Sequence, residues 1–405
     1  MRYKRLLILG STILLFCLVF FAQDQERSFR EISLVVNIEV PVRVFDSGTF
    51  VENLILDDFE VFENGVPQAV QAVYRVNKDV IQRKEEKAKF RPQTKRLFLL
   101  FFEVSQYDPR LGDAIGHFMQ DVILPTDDLI VVTPTKTYTL EEDELKNRSR
   151  EDMTADLVSF LRTDATAGNS EYRSSVRDMA RISKELSAMI AGGGEGDLDP
   201  GIDTLISEYT AAIDKLEVLR EVDQLKLLDF ARYLKGREEQ KYIYLFYEQE
   251  YLPRISTKLW TQVSSLYQNT AGGVDQLIAD YQDYYDQEVT IDLEAVRRQF
   301  ADASAGLHFL FVARPRENIP GVEFVERTND VYSAFAEMSQ ASGGFAESSN
   351  RADLLFQRAL AESENYYIVY YAPKHYIADG QFKEITVKIK DKKYKVIHRA
   401  GYFAN

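Results

Sequence analysis

Leu97-Phe98-Leu99-Leu100-Phe101-Phe102 is an unbroken apolar run, followed at once by Glu103-Val104-Ser105. A strand that is apolar at every position has both faces buried, which is the condition of a strand inside a parallel sheet. Downstream, Leu111, Ile115, Phe118, Met119 and Val122 fall on one helical stripe. Leu129 to Thr133 returns to a strand pattern, and similar buried strands recur at Tyr242 to Tyr247 and at Phe309 to Ala313. Helices lie between and after them, one marked by Val331, Phe335 and Met338. Strands alternating with helices predict an α/β domain: an open, Rossmann-like sheet with right-handed crossovers, placed at residues 96–364.

Upstream, residues 82–96 (QRKEEKAKFRPQTKR) are charged and nearly free of apolar side chains, so residues 81–95 are expected to be a linker. Before it, Val36, Ile38, Val40, Val42 and Val44 alternate as in a strand with one buried face. Asp46-Ser47-Gly48 breaks that strand. Phe59 to Phe62 runs into Asn64-Gly65, a hairpin signal, with Ala69 to Val76 read as the return strand. Residues 30–80 thus form an N-terminal β module. At the other end, residues 365–405 hold a strand at Tyr366 to Tyr371. Phe382, Ile385, Val387 and Ile389 with Tyr394, Val396 and His398 are expected to form a two-stranded unit around Asp391-Lys392-Lys393. Neither end has enough strands to bury a face alone. The two ends are therefore expected to pair into one β-sandwich, with the α/β domain inserted between them.

Between Glu151 and Lys235 the chain is helical for longer than one crossover requires, which predicts a helical insertion at about residues 150–236. Ile202, Ile206, Tyr209, Ile213, Leu216, Leu219 and Val222 recur at helical spacing, as one helix of roughly 30 residues would require.

The N-terminal segment is ordered as a secretory signal: Arg2, Lys4 and Arg5, then no charge from Leu6 to Ala22, then Gln23-Asp24-Gln25-Glu26. Residues 1–22 are expected to act as a signal peptide or a membrane anchor, and Phe20 is large for a cleavage site. The expectation is export, to the periplasm or the cell surface, with membrane contact only through residues 6–22 if they stay. Cys17 is the only cysteine, and no small residue precedes it to suit lipidation. A cleaved product would have no disulfide, thiolate nucleophile or zinc-thiolate site. The formal charge is −15, which opposes nucleic acid, since phosphate binding needs a basic face.

Two separated stretches resemble a known family, the bacterial von Willebrand factor A-related domain proteins. The first is Val40-Pro41-Val42 through Gly48-Thr49-Phe50-Val51, with Asp58-Phe59-Glu60-Val61-Phe62-Glu63-Asn64-Gly65-Val66-Pro67-Gln68. The second comprises Tyr366-Tyr367, Pro373, Asp379-Gly380, Phe382 and His398-Arg399-Ala400-Gly401-Tyr402-Phe403. The resemblance implies export and a von Willebrand A fold, and no single activity.

It also implies where a divalent cation would bind, because such domains hold one at an Asp-x-Ser-x-Ser loop after the first core strand. The matching loop is Glu103-Val104-Ser105-Gln106-Tyr107. Only Ser105 is unchanged; Glu103 is one methylene too long, and Tyr107 cannot place its oxygen where a serine would. A later strand carries Glu248-Gln249-Glu250 where the family has Asp-Gly. The candidate metal ligands are Glu103, Ser105 and Glu248, or Glu250 in its place, in a degenerate site for magnesium or calcium. No cofactor is expected. Asp108 beside Pro109 suits a helix cap better than a ligand. A second acidic cluster, Asp197, Asp199, Asp203 and Glu208, fails the spacing of a calcium loop and is expected to cap a helix.

No catalytic residue is expected. His117, His308, His375 and His398 are scattered, and no His-x-x-x-His or Gly-x-Ser-x-Gly pattern occurs. Tyr267, Tyr281, Tyr284 and Tyr285 could form a contact patch, with core packing beneath a loop as the simpler expectation. The reading is a non-enzymatic extracytoplasmic binding or scaffold protein that meets a protein partner at the loop ends of its sheet. A cation-dependent adhesion module is the alternative, and a secreted hydrolase the second.

Overall fold

The computed structural model describes residues 36–192, 201–218, 224–266, 292–326, 329–390 and 393–405. β1 (Ile38–Asp46) buries Val40, Val42 and Val44 completely. It turns through Ser47 and Gly48, at φ of 51° and 87°, into β2 (Thr49–Phe50). β3 (Phe59–Glu63) turns at Asn64-Gly65 into the short β4 (Val66–Gln68). β5 (Val70–Asn77) is not the return strand of that hairpin; it pairs with β6 (Val80–Glu86) and with a strand near the far end of the chain. Residues 80–86 are therefore an edge strand, so residues 81–86 are not the first part of a linker. An edge strand needs only one partner, and its exposed charges keep it from pairing with other chains.

β7 (Arg96–Glu103) opens the α/β part. Asp108 caps α1 (Pro109–His117), its carboxylate accepting from the Arg110 N–H at 2.9 Å. β8 (Asp128–Val132) and β9 (Thr137–Leu140) form an antiparallel pair. Helices α2 (Glu142–Asn147), α3 (Arg150–Gly168), α4 (Ser170–Ala191), α5 (Gly201–Val218) and α6 (Gln224–Lys235) follow. Then come β10 (Gln240–Glu248), β11 (Tyr251–Ile255), α7 (Thr257–Leu266), α8 (Leu293–Asp302), β12 (Ala305–Val312), β13 (Val322–Glu326), α9 (Asn329–Ser342), β14 (Ala346–Ser349) and α10 (Ala352–Glu364).

The central sheet runs β9-β8-β7-β10-β12-β14, all parallel except β9. Counted in chain order within the sheet this is 3-2-1-4-5-6, the doubly wound arrangement, and its direction reverses between β7 and β10. α1, α3 and α10 cover one face through residues such as Ile115, Leu157 and Phe356. α6, α8 and α9 cover the other through Leu234, Phe300 and Met338. So α3 and α6 are covering helices of the sheet, and the expected insertion at 150–236 shrinks to its middle. α4 and α5 build a second core with β11, α7 and β13, around Met179, Tyr209 and Trp260. Of the expected long helix, residues 219–223 lie outside the described residues; α5 and α6 serve different cores.

The last strands are β15 (Asn365–Tyr371), β16 (Phe382–Ile389), β17 (Lys395–His398) and β18 (Gly401–Phe403). They join the first strands in two sheets, ordered β17-β1-β15-β5-β6 and β18-β16-β3-β4. The two sheets touch where the Phe59 and Tyr367 rings pack at 5.2 Å and the Tyr371 hydroxyl donates to Glu63 at 2.7 Å. β16 and β17 do not pair with each other: β16 lies between β3 and β18, and β17 lies on β1. Each thereby finds a strand from the other end of the chain, which buries more apolar surface than a short hairpin could.

Candidate functional site

β7 and β10 end side by side at the point where the strand order reverses, Glu103 in register with Tyr247. Open α/β sheets bind ligands in the crevice at this position. The next residues meet there. Glu248 Oε2 accepts the Ser105 backbone N–H at 2.7 Å and also the Ser105 hydroxyl. Arg314, just past the end of β12, donates through Nη1 to the same Ser105 hydroxyl oxygen and stands 3.5 Å from Glu248 Oε2. Its Nη2 donates to Glu317 at 3.1 Å, and its backbone N–H donates to Gln249 Oε1 at 3.2 Å.

The second core closes over this group. Asn169 and Arg173 of the α4 region donate to the Ser105 carbonyl at 2.9 and 3.3 Å. The guanidinium of Arg314 lies 5.9 Å from the Tyr172 ring and 6.0 Å from the Tyr251 ring, and its side chain is 11% exposed. The Tyr172 hydroxyl donates to the Tyr251 carbonyl at 2.7 Å. Between insertion and sheet a cavity of about 160 Å³ remains, lined by Glu103, Glu250, Tyr172, Pro134, Leu216 and Leu252 among others. Pro134 is held at its rim because the buried Asp164 accepts from the Thr133 hydroxyl at 2.7 Å.

Of the three ligand candidates, Ser105 and Glu248 come together and Glu103 does not join them. Strand alternation sends Glu103 to the face opposite Phe102 and Val104, and among the described residues no hydrogen bond links it to Ser105 or Glu248. Its side chain is exposed at the end of β7 and lies along the cavity wall, where neighbouring protein replaces part of its hydration. Burial, and then the nearby charge of Glu250, push its pKa up to about 7.

These residues do not fit a divalent cation. A ligating serine turns a lone pair to the metal, whereas Ser105 gives its proton to Glu248 and accepts from a guanidinium. Among the described residues no group of three or more His, Cys, Asp or Glu side chains is placed to hold a metal ion.

Arg314, Tyr172 and Tyr251 were not singled out by the sequence reading. A signal existed for the first: Arg314-Pro315-Arg316 directly follows the apolar strand ending at Ala313, where a core strand delivers side chains to the sheet's carboxyl end. The histidines share no site. His117 pairs with Asp121 at 2.8 Å, His308 is fully buried, His375 is exposed, and His398 Nε2 accepts the Val387 N–H at 3.2 Å. In the second acidic cluster Glu208 pairs with Arg181 at 2.7 Å; Asp197 and Asp199 lie outside the described residues. So do Tyr267, Tyr281, Tyr284 and Tyr285.

No family model and no curated protein matches this chain. Among solved structures, the crystal structure of the human COPII-coat protein Sec24c is similar over 78% of this chain and 44% of that one, with 7% identity and a TM-score of 0.33. The chain thus spans less than half of that structure's length, and at this score the likeness carries no argument.

Proposed function

We propose that this is a non-enzymatic extracytoplasmic binding or scaffold protein, whose α/β domain is von Willebrand A-like and makes protein contacts at the carboxyl end of its central sheet. The observation that carries the reading is the placement of charged groups at the reversal of strand order. Glu248, Arg314, Glu103 and Glu250 converge there beneath a helical insertion, on a sheet of order 3-2-1-4-5-6. Export is supported by the basic, apolar, polar order of residues 2–26. No helix among the described residues is long and apolar enough to cross a membrane; residues 6–22 lie outside them. A binding role also suits the chemistry present. Glu248, Ser105 and Arg314 satisfy one another, and among the described residues no histidine or lysine lines the cavity beside them.

The test is photocrosslinking of the full chain in its producing cell. A crosslinking residue replaces the exposed Gln106 beside the cavity or, as the control, the exposed Glu238 at the amino end of β10. The reading expects a discrete protein adduct outside the cytoplasm from position 106 and none from position 238. Adducts from neither position, or from both alike, count against it.

A further inference from the structure

We propose that the Arg314 guanidinium is a built-in cation: it holds the place a divalent ion would take beside Ser105 and Glu248, and so makes the site independent of metal. The inference rests on the reading of this end of the sheet as the contact surface, and adds how its charge is set.

Geometry carries it. One guanidinium touches the Ser105 hydroxyl oxygen, faces Glu248 at 3.5 Å and bonds Glu317 at 3.1 Å. Without it, two carboxylates and a hydroxyl would face one small space, and that is an oxygen set hard cations accept. With it, one of the two negative charges is already balanced, and a dication would have to enter against a fixed positive charge beside the largely buried Glu248. Arg314 is also held from every side. Gln249 fixes its backbone, and Tyr172 from α4 and Tyr251 from β11 flank the guanidinium. A side chain gripped by the sheet and the insertion together is not displaced cheaply. Arginine suits the role better than lysine in its fork of donors, which bonds Ser105 and Glu317 from two different nitrogens. The charge itself either residue can supply.

Packing holds the guanidinium in place and its charge keeps the ion out, and substitution separates the two. The full chain is stripped with a chelator and its thermal midpoint is read with and without millimolar magnesium, calcium or manganese. The wild type and Arg314→Lys should not respond. Arg314→Ala and Arg314→Gln should melt earlier, and the divalent ion should restore most of the lost midpoint. Adding Glu248→Gln to Arg314→Gln should abolish that restoration. A wild-type midpoint that rises with metal overturns the proposal, as does an Arg314→Gln variant that ignores every ion or behaves like Arg314→Lys. If Arg314→Ala does not fold, the Gln and Lys pair decides alone. No partner enters this measurement, so its failure is distinct from a failure of the crosslinking test.

Discussion

Arg96 and Asp127 are both fully buried and meet through two contacts, Nη2 to Oδ2 at 2.6 Å and Nε to Oδ1 at 3.0 Å. Arg96 is the first residue of the central strand, and Asp127 ends the turn before β8. Asp127 also accepts the Leu124 N–H at 2.7 Å, while Arg96 donates to the Val122 carbonyl at 3.0 Å. The pair thus sets where the neighbouring strand begins. Removing one partner of such a pair leaves a buried charge without compensation, at about 3–5 kcal/mol. Asp127→Ala should lower stability by that amount in urea unfolding. A loss under about 1 kcal/mol would mean that water reaches the guanidinium and the pair is not sealed.

His308 should make the protein sensitive to acid. Its ring stacks on Tyr244 at 5.0 Å, packs edgewise against Phe345 at 4.9 Å, and has no hydrogen-bond partner at either nitrogen. Burial first, and then the charge of Arg43, hold its pKa well below the ordinary 6.5. Below that ordinary value the unfolded chain takes up a proton that the folded chain refuses. The stability contributed by neutral His308 is thus present above pH 6.5 and is lost progressively as pH falls. His308→Phe keeps the ring and removes the titration. Unfolding midpoints from pH 7 down to about 4.5 should fall less steeply in the variant. His398, also lowered by burial, supplies a residual slope. Parallel curves for the two proteins would show that His308 does not titrate on unfolding.

These two sites show what the sequence could and could not disclose. The strand Leu97–Phe102 was readable because burial on both faces leaves no polar position to misplace. The order of the sheet was not: Tyr242–Tyr247 and Phe309–Ala313 look alike as apolar runs, and pairing depends on partners far along the chain. For the same reason residues 81–86 read as linker, since an edge strand with exposed charges has the composition of one. At the site, Ser105 and Glu248 are named through the family resemblance, by their places after β7 and at the end of β10. Arg314 is signalled only by its place after an apolar strand; that it meets Ser105 and Glu248 depends on strand pairing far along the chain. Glu103 is grouped with Ser105 by the loop pattern, but β7 ends at Glu103 and the chain leaves the strand before Ser105, so the shared face of residues two apart does not carry over.

The insertion should unfold as a unit of its own. Met179 is fully buried in the second core, which also holds Trp260, the single tryptophan, 3% exposed and edge-on to Tyr209 at 5.3 Å. Tryptophan emission therefore reports on this core and not on the central sheet. Met179→Ala removes buried side-chain atoms at about 2–5 kcal/mol. In urea the Trp260 transition should move to lower concentration, while the far-ultraviolet circular dichroism transition, weighted towards the larger remainder, moves less. Equal movement of both would show the two cores to be one cooperative body.

Glu103 should bend the stability profile in the opposite sense to His308. Its carboxyl has a pKa near the ordinary 4.5 when the chain is unfolded and about 7 when folded. Between those values the folded chain holds a proton that the unfolded chain has released. The stability contributed by protonated Glu103 is thus full below pH 4.5 and is lost as pH rises through about 7. Glu103→Gln keeps the shape and the neutral state, so it should stabilise the protein at pH 8 and make no difference near pH 4.5. Carboxyl carbon shifts in an NMR titration would locate the midpoint directly. A midpoint near 4.5 would mean that bulk water hydrates the carboxyl after all, and that Glu250 is too far away to matter. A midpoint near 7 would place a carboxyl at the cavity wall that changes charge in the neutral range, so any partner seated there would bind with an affinity that changes through the same interval.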